Sequence, residues 1–167
     1  THSYSNITSL ISLNTADLPA PDFQGIDYFE TTLYEGNGTA IGSGGKAVTG
    51  TGFQPDWVWI KNRDASDSHA LYDVVRGTTK QIETDTTAIE TTEAEGLSVF
   101  GSDGFTVGSL AEVNTSSEDY ISWNWLAGGS ASSNSDGSLT SSVSAATPGH
   151  FSIVSWTGNG IYNCDCA

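Results

Sequence analysis

The sequence predicts an all-β chain, an antiparallel β-sandwich with an extended N-terminal arm. Three observations carry that reading. Short runs of β-branched and aromatic residues recur at period two. Gly-rich and Asn-Gly turns separate them, and no stretch has the apolar spacing of a convincing helix. The apolar side chains are enough for one core between two sheets about 10 Å apart. A length of 167 residues suits one domain with a sizeable core plus an extension.

Residues 1–27 read as an arm or linker. Ser, Thr and Asn dominate there, and DLPAPDFQG carries two of the chain's four prolines, which disfavour helix and central strand. Residues 28–127 are expected to form the sandwich. FETTLYEGNG (29–38) is a strand with Phe29, Thr31 and Leu33 on one face, closed by a Gly-Asn-Gly turn. GSGGKAVTGTG (42–52) reads as a Gly-rich turn. FQPDWVWIKNR (53–63) is the strongest strand signal: Trp57 and Trp59 alternate with Val58 and Ile60, so both faces are occupied. Pro55 falls just before it, where a strand accepts proline.

HALYDVVRG (69–77) is a further strand with a β-branched close. TTKQIETDTTAIETTEAE (78–95), mostly Thr and Glu, reads as a surface loop or at best a short helix. GLSVFGSDGFTVGS (96–109) is two strands about a Ser-Asp-Gly turn, a hairpin signal. DYISWNWLAGG (119–129) alternates Ile121, Trp123 and Trp125 against Tyr120, Ser122 and Asn124. Residues 128–138 read as a Ser/Gly linker. Residues 139–167 hold LTSSVSA and GHFSIVSWTGNG, either closing strands or the start of a truncated second repeat. The repeat is internal: Phe29 to Gly38 aligns without gaps with Phe151 to Gly160 through Phe, an aromatic five residues on, and Gly-Asn-Gly.

Five Lys or Arg against twenty Asp or Glu give a net charge of −15, and no basic residue follows Lys80. Such a surface repels nucleic acid and anionic membranes. No apolar run has the length to span a bilayer, so neither a nucleic-acid partner nor membrane insertion is expected.

The set FQPDWVWIKNRD, HALYDVVRG, FGSDGFTVGS, YISWNWLAGG and FSIVSWTGNG, in this order over residues 28–160, resembles a family of repeat domains in virion structural and tail-fibre proteins of marine tailed phages, cyanophages among them. The fold class takes in a jelly-roll or concanavalin-A-like sandwich, and the resemblance implies a concanavalin-A-like or laminin-G-like one displayed on an extracellular particle. It implies fibre or decoration proteins that work by assembly and contact. The expected partners are other copies of the chain, with a trimer as the first expectation, and other virion proteins reached through residues 1–28. The family supplies no catalytic motif to carry over.

The candidate ligand-binding residues are Trp57, Trp59, Trp123 and Trp125. In each W-x-W pair both rings point to one side, and exposure of a pair would make a platform for a host surface glycan. Aromatic side chains dominate sandwich interiors, and the sequence reading places these four rings in the core. Asp64, Asp67, His69 and Asp73, with Arg63 and Arg76 nearby, match no calcium loop and read as a solvated turn with exposed Arg–Asp pairs. Glu83, Asp85, Glu90, Glu93 and Glu95 would be the carboxylates for glycoside hydrolysis, but nothing apolar near them would raise a pKa. There is no nucleophile elbow and no phosphate loop. Cys164 and Cys166 lack the second cysteine pair or histidine cluster that a metal site needs. The chain therefore reads as non-enzymatic, with no cofactor and no metal.

Overall fold

The computed structural model describes residues 25–147 and 149–160. Residues 1–24 of the expected arm, and the tail with Cys164 and Cys166, lie outside them. Within them are the strands β1 (Phe29–Glu35), β2 (Lys46–Thr49), β3 (Trp57–Asn62), β4 (Ala70–Asp73), β5 (Lys80–Glu83) and β6 (Thr91–Thr92). There follow β7 (Leu97–Gly101), β8 (Gly104–Val107), β9 (Asp119–Trp125), β10 (Ser132–Asn134), β11 (Ser141–Ala145) and β12 (Ser152–Trp156). One-turn helix α1 (Ala111–Asn114) links β8 to β9. The fold is all-β and every strand pairing is antiparallel.

Two sheets enclose the core. The larger has six strands in the order β1-β9-β3-β4-β5-β6, and the smaller has the order β2-β8-β7. Val58 and Ile60 of β3, Ala70 and Tyr72 of β4, and Tyr120 of β9 meet Val48 of β2, Leu97 of β7, and Phe105 and Val107 of β8. Val113 of α1 closes the end of this cluster. Burying each such side chain is worth about 1.5–3 kcal/mol before entropy is counted. The Ser102-Asp103 hairpin joins β7 to β8, as its turn sequence predicts.

Several segments depart from the sequence reading, each for a local reason. The Gly-rich stretch 42–52 contains β2, which pairs with β8 and inserts Val48 into the core. The approach is close enough that a Cβ on Gly104 would lie 2.0 Å from the Val48 carbonyl oxygen. β4 stops at Asp73, before the β-branched Val74 and Val75, because Asp73 Oδ1 accepts hydrogen bonds from the Val75 and Arg76 amides and turns the chain. The Thr/Glu run 78–95 contains β5 and β6. Gln81 is anchored there by the buried Tyr72 hydroxyl, and Ile82 pairs with Leu71 of β4.

The expected linker 128–138 contains β10, which joins β11 and β12 in a third sheet of its own. This sheet does not extend the sandwich; it leans on the outside of the six-stranded sheet. Asp56 forms the junction. Its buried Oδ2 accepts from the Ala127 and Gly129 amides, both at 2.9 Å. Gly128 between them packs so tightly that a Cβ would sit 2.3 Å from the Ala145 carbonyl oxygen.

Three tyrosines set the alkaline limit of the fold. Tyr34 stacks on Tyr120 at 5.2 Å and donates to the Val113 carbonyl at 2.8 Å. Tyr120 donates to the Ala111 carbonyl at 2.7 Å. Burial pushes Tyr34 and Tyr72 well above the ordinary phenol value, and burial also raises Tyr120. A raised folded-state pKa means that the neutral phenol contributes stability fully below pH ~10 and loses it as pH climbs beyond. We expect these three to stay un-ionised in the folded chain and to give phenolate absorbance only together with loss of the β-sheet circular dichroism signal. Ionisation of all six tyrosines near pH ~10 with the sheet signal intact would contradict this packing.

Candidate functional site

The register of β3 against β9 decides which side chains face out. Trp57 lies opposite Trp125 and Trp59 opposite Trp123, while Val58, Ile60 and Asn62 lie opposite Asn124, Ser122 and Tyr120. Strand alternation then puts all four tryptophans on the outer face, each partly exposed, and sends the intervening residues inward. The expectation that these rings fill the core is thus corrected. In β3 either parity offers an apolar face, so alternation alone cannot choose between them. β9 makes the choice. Tyr120 is held inside by its hydroxyl bonds, and the small polar residues after it find acceptors there. Ser122 Oγ donates to the Thr32 carbonyl at 3.4 Å, and Asn124 Nδ2 donates to the Glu30 carbonyl at 3.1 Å.

The outer face is aromatic across three strands. Phe29 of β1 packs on Trp125 at 4.7 Å, and Trp59 packs on Trp123 at 5.1 Å and on His69 at 5.6 Å. Trp59 Nε1 donates to Thr84 Oγ1 at 3.1 Å, which satisfies its one donor. Leu33 extends the face to the edge strand and is 63 % exposed. Phe151, which precedes β12, stacks on Trp125 at 5.9 Å and meets Trp57 edge-on at 6.0 Å. Phe29 and Phe151 open the two copies of the internal repeat, and both rest on Trp125. The copies differ beyond that point. Tyr34, the aromatic five residues after Phe29, is half-buried and packs against the core, whereas its counterpart Trp156 is 56 % exposed.

Beside Phe151 the third sheet overhangs the larger sheet and leaves a cleft of about 350 Å³. Trp57, Leu71 and Ile82 line its sheet side, Ile153 to Trp156 line the β12 side, and Asp73 and Arg76 lie at its polar end. Arg76 Nε donates to Asp73 Oδ2 at 2.6 Å, and the two side chains are only 15 % and 4 % exposed. This differs from the solvated Arg–Asp pairing expected here; Arg63 with Asp119, at 3.5 Å, is the exposed pair. Asp64 and Asp67 do not join His69 and Asp73 in one cluster. Asp64 Oδ2 accepts from the Asp119 amide and Asp67 Oδ2 from Asn62 Nδ2. Among the described residues no group of three or more His, Cys, Asp or Glu side chains is arranged to hold a metal.

The acidic run is committed to local structure. Backbone amides of Ile41 and Ser109 donate to Glu95, and the His69 amide donates to Asp85; both carboxyls are held below their ordinary range by those bonds. A general acid needs a shift in the opposite direction. Glu90 lies 3.4 Å from Arg76. Sequence reasoning missed Leu71, Ile82, Phe151 and Trp156 as parts of this face. Its usable signal was the Phe repeat, since Phe29 and Phe151 at equivalent positions point to equivalent contacts.

The geometry defines an all-β antiparallel sandwich protein with an aromatic outer sheet face and an adjoining cleft. The chain belongs to the family described as Domain of unknown function (DUF7483), whose profile matches residues 24–164. No curated protein and no solved structure matches it.

Replacing an outward ring costs less than replacing an inward side chain. In denaturant unfolding, Trp59→Ala is expected to lose about 1–2 kcal/mol and Ile60→Ala about 2–5 kcal/mol. A loss above ~3 kcal/mol for Trp59→Ala, the range of a core aromatic, would return Trp59 to the interior.

Proposed function

We propose that the chain is a non-enzymatic structural protein of a phage particle, a fibre or a capsid or tail decoration on the exterior, acting by assembly and surface contact. The observation that supports this most directly is the larger sheet, which is apolar on both faces. One face forms the core. The other carries Phe29, Leu33, Trp59 and Trp123 toward solvent, and an apolar patch rimmed by polar residues marks an interaction surface. The order of the five motifs supports the virion setting, and the charge of −15 suits a solubilised exterior. In this reading residues 1–28 serve as the arm that reaches other virion proteins, and the chain assembles with copies of itself as a trimer.

A second reading is favoured by the outward tryptophans: a carbohydrate-binding module for host cell-surface polysaccharide, with Trp57, Trp59, Trp123 and Trp125 as contact residues. A fibre can combine both roles.

Sedimentation equilibrium of the full chain is expected to show a trimer, and antiserum raised against it is expected to label intact particles of the phage that encodes it. Leu33→Asp is expected to shift the equilibrium toward monomer without loss of the sheet signal. A monomeric wild-type chain whose antiserum leaves intact particles unlabelled would contradict the proposal.

A further inference from the structure

We infer that the cleft between the larger sheet and β12 is a binding site for a neutral saccharide, with Trp156 as its aromatic contact on the β12 side and Arg76 as its polar anchor. This rests on the carbohydrate reading and narrows it to one place and one ligand class. The volume, about 350 Å³, falls at the lower end of the range for small-ligand sites, about 300–1,000 Å³, and suits a mono- or disaccharide. Trp57 and Trp156 line the same cleft. A pyranose ring has an apolar C–H face and a hydroxyl rim, and this cleft offers apolar walls with a polar end.

The polar end is prepared for hydroxyl groups. Arg76 has five N–H donors. Nε goes to Asp73, Nη1 to the Lys80 carbonyl and Glu90, and Nη2 to the Leu71 carbonyl. One N–H of Nη2 is left for a ligand, on a guanidinium that its other partners hold rigid. Ser155, on the same face of β12 as the buried Ile153, adds a hydroxyl on that side.

Charge selects the ligand class. Asp73 neutralises Arg76, Glu90 adds a negative charge 3.4 Å from it, and the whole chain carries −15. A sulphated or uronic-acid saccharide would be repelled, and a neutral one would not. Trp156 distinguishes this site from the Trp59–Trp123 face, because neither of those residues lines the cleft.

The test is isothermal titration of the full chain with neutral glucan, galactan and mannan oligosaccharides, and with sulphated and uronic-acid oligosaccharides for comparison. At least one neutral oligosaccharide is expected to bind. Trp156→Ala is expected to weaken it at least about tenfold, Trp156→Tyr to restore most of the affinity, and Val99→Ala, an exposed position on β7 outside the cleft, to leave it unchanged. Trp156 is mostly exposed, so its variants should retain the wild-type melting temperature, which is measured alongside. Loss with Trp123→Ala but not with Trp156→Ala would overturn the cleft and leave the carbohydrate reading standing. Binding of anionic oligosaccharides alone would overturn the ligand class. No binding of any oligosaccharide would overturn both the inference and the carbohydrate reading, while leaving the assembly reading to its own test.

Discussion

The pairing of β3 with β9 is the constraint on which the rest depends. Side chains alternate along a strand, so a slip of one residue between β3 and β9 would set Trp57 and Trp59 opposite Asn124 and Ser122 and turn the tryptophans of one strand inward and its core residues outward. Both ends of the pair are clamped. At one end the Asp56 amide donates to the Trp125 carbonyl at 2.8 Å, and at the other the Arg63 amide donates to the Asp119 carbonyl at 2.7 Å. The Asp56 side chain reinforces the first clamp through the Ala127 and Gly129 amides. Without that acceptor the Ala127 donor would lose its partner in a buried setting, at about 1–3 kcal/mol, and the Gly129 donor would lose its own in a partly buried one. The same residue therefore holds the strand register and the position of the third sheet.

A two-faced sheet follows from this register. Its inner face is ordinary sandwich core. Its outer face is partly covered by a sheet that presents Phe151 to Trp57 and Trp125 and buries Ile153. The internal repeat gives this cover a physical sense. Phe151, like Phe29, makes a ring contact with Trp125, and β12 keeps its remaining large side chains, Val154 and Trp156, toward solvent. Trp156 thus stands at the lip of a cleft, where its repeat counterpart Tyr34 packs half-buried against the core. An assembly role and a saccharide-binding role both rest on this outer surface.

The sequence makes the fold class legible, and much less of the face. The all-β class, the β7–β8 hairpin and strands at β1, β3, β4, β9, β11 and β12 follow from period-two runs and their turns. Four strands escaped: β2, anchored in the core by Val48; β5, held by the Gln81 bond to Tyr72 and the pairing of Ile82 with Leu71; and β6 and β10, which bury no residue. Their Gly, Lys and Thr content resembles loop because pairing with a neighbour, not local pattern, makes them strands. The orientation of the tryptophans escaped for a different reason. Trp57 and Trp59 make as apolar a face as Val58 and Ile60, and the inward placement of Ser122 and Asn124 depends on carbonyl acceptors of β1 that lie about ninety residues away in sequence.

The central claim, that the four sheet tryptophans face outward, is tested most directly by fluorine NMR of the chain labelled with 5-fluorotryptophan. Its five resonances are assigned by single Trp→Phe variants and measured with a soluble gadolinium chelate. We predict that Trp156 broadens most, that Trp59 and Trp123 broaden clearly, and that Trp57 and Trp125, beside Phe151, broaden less. If Trp59 and Trp123 kept sharp lines at a chelate concentration that erases Trp156, the register, and with it the outer face, would be contradicted.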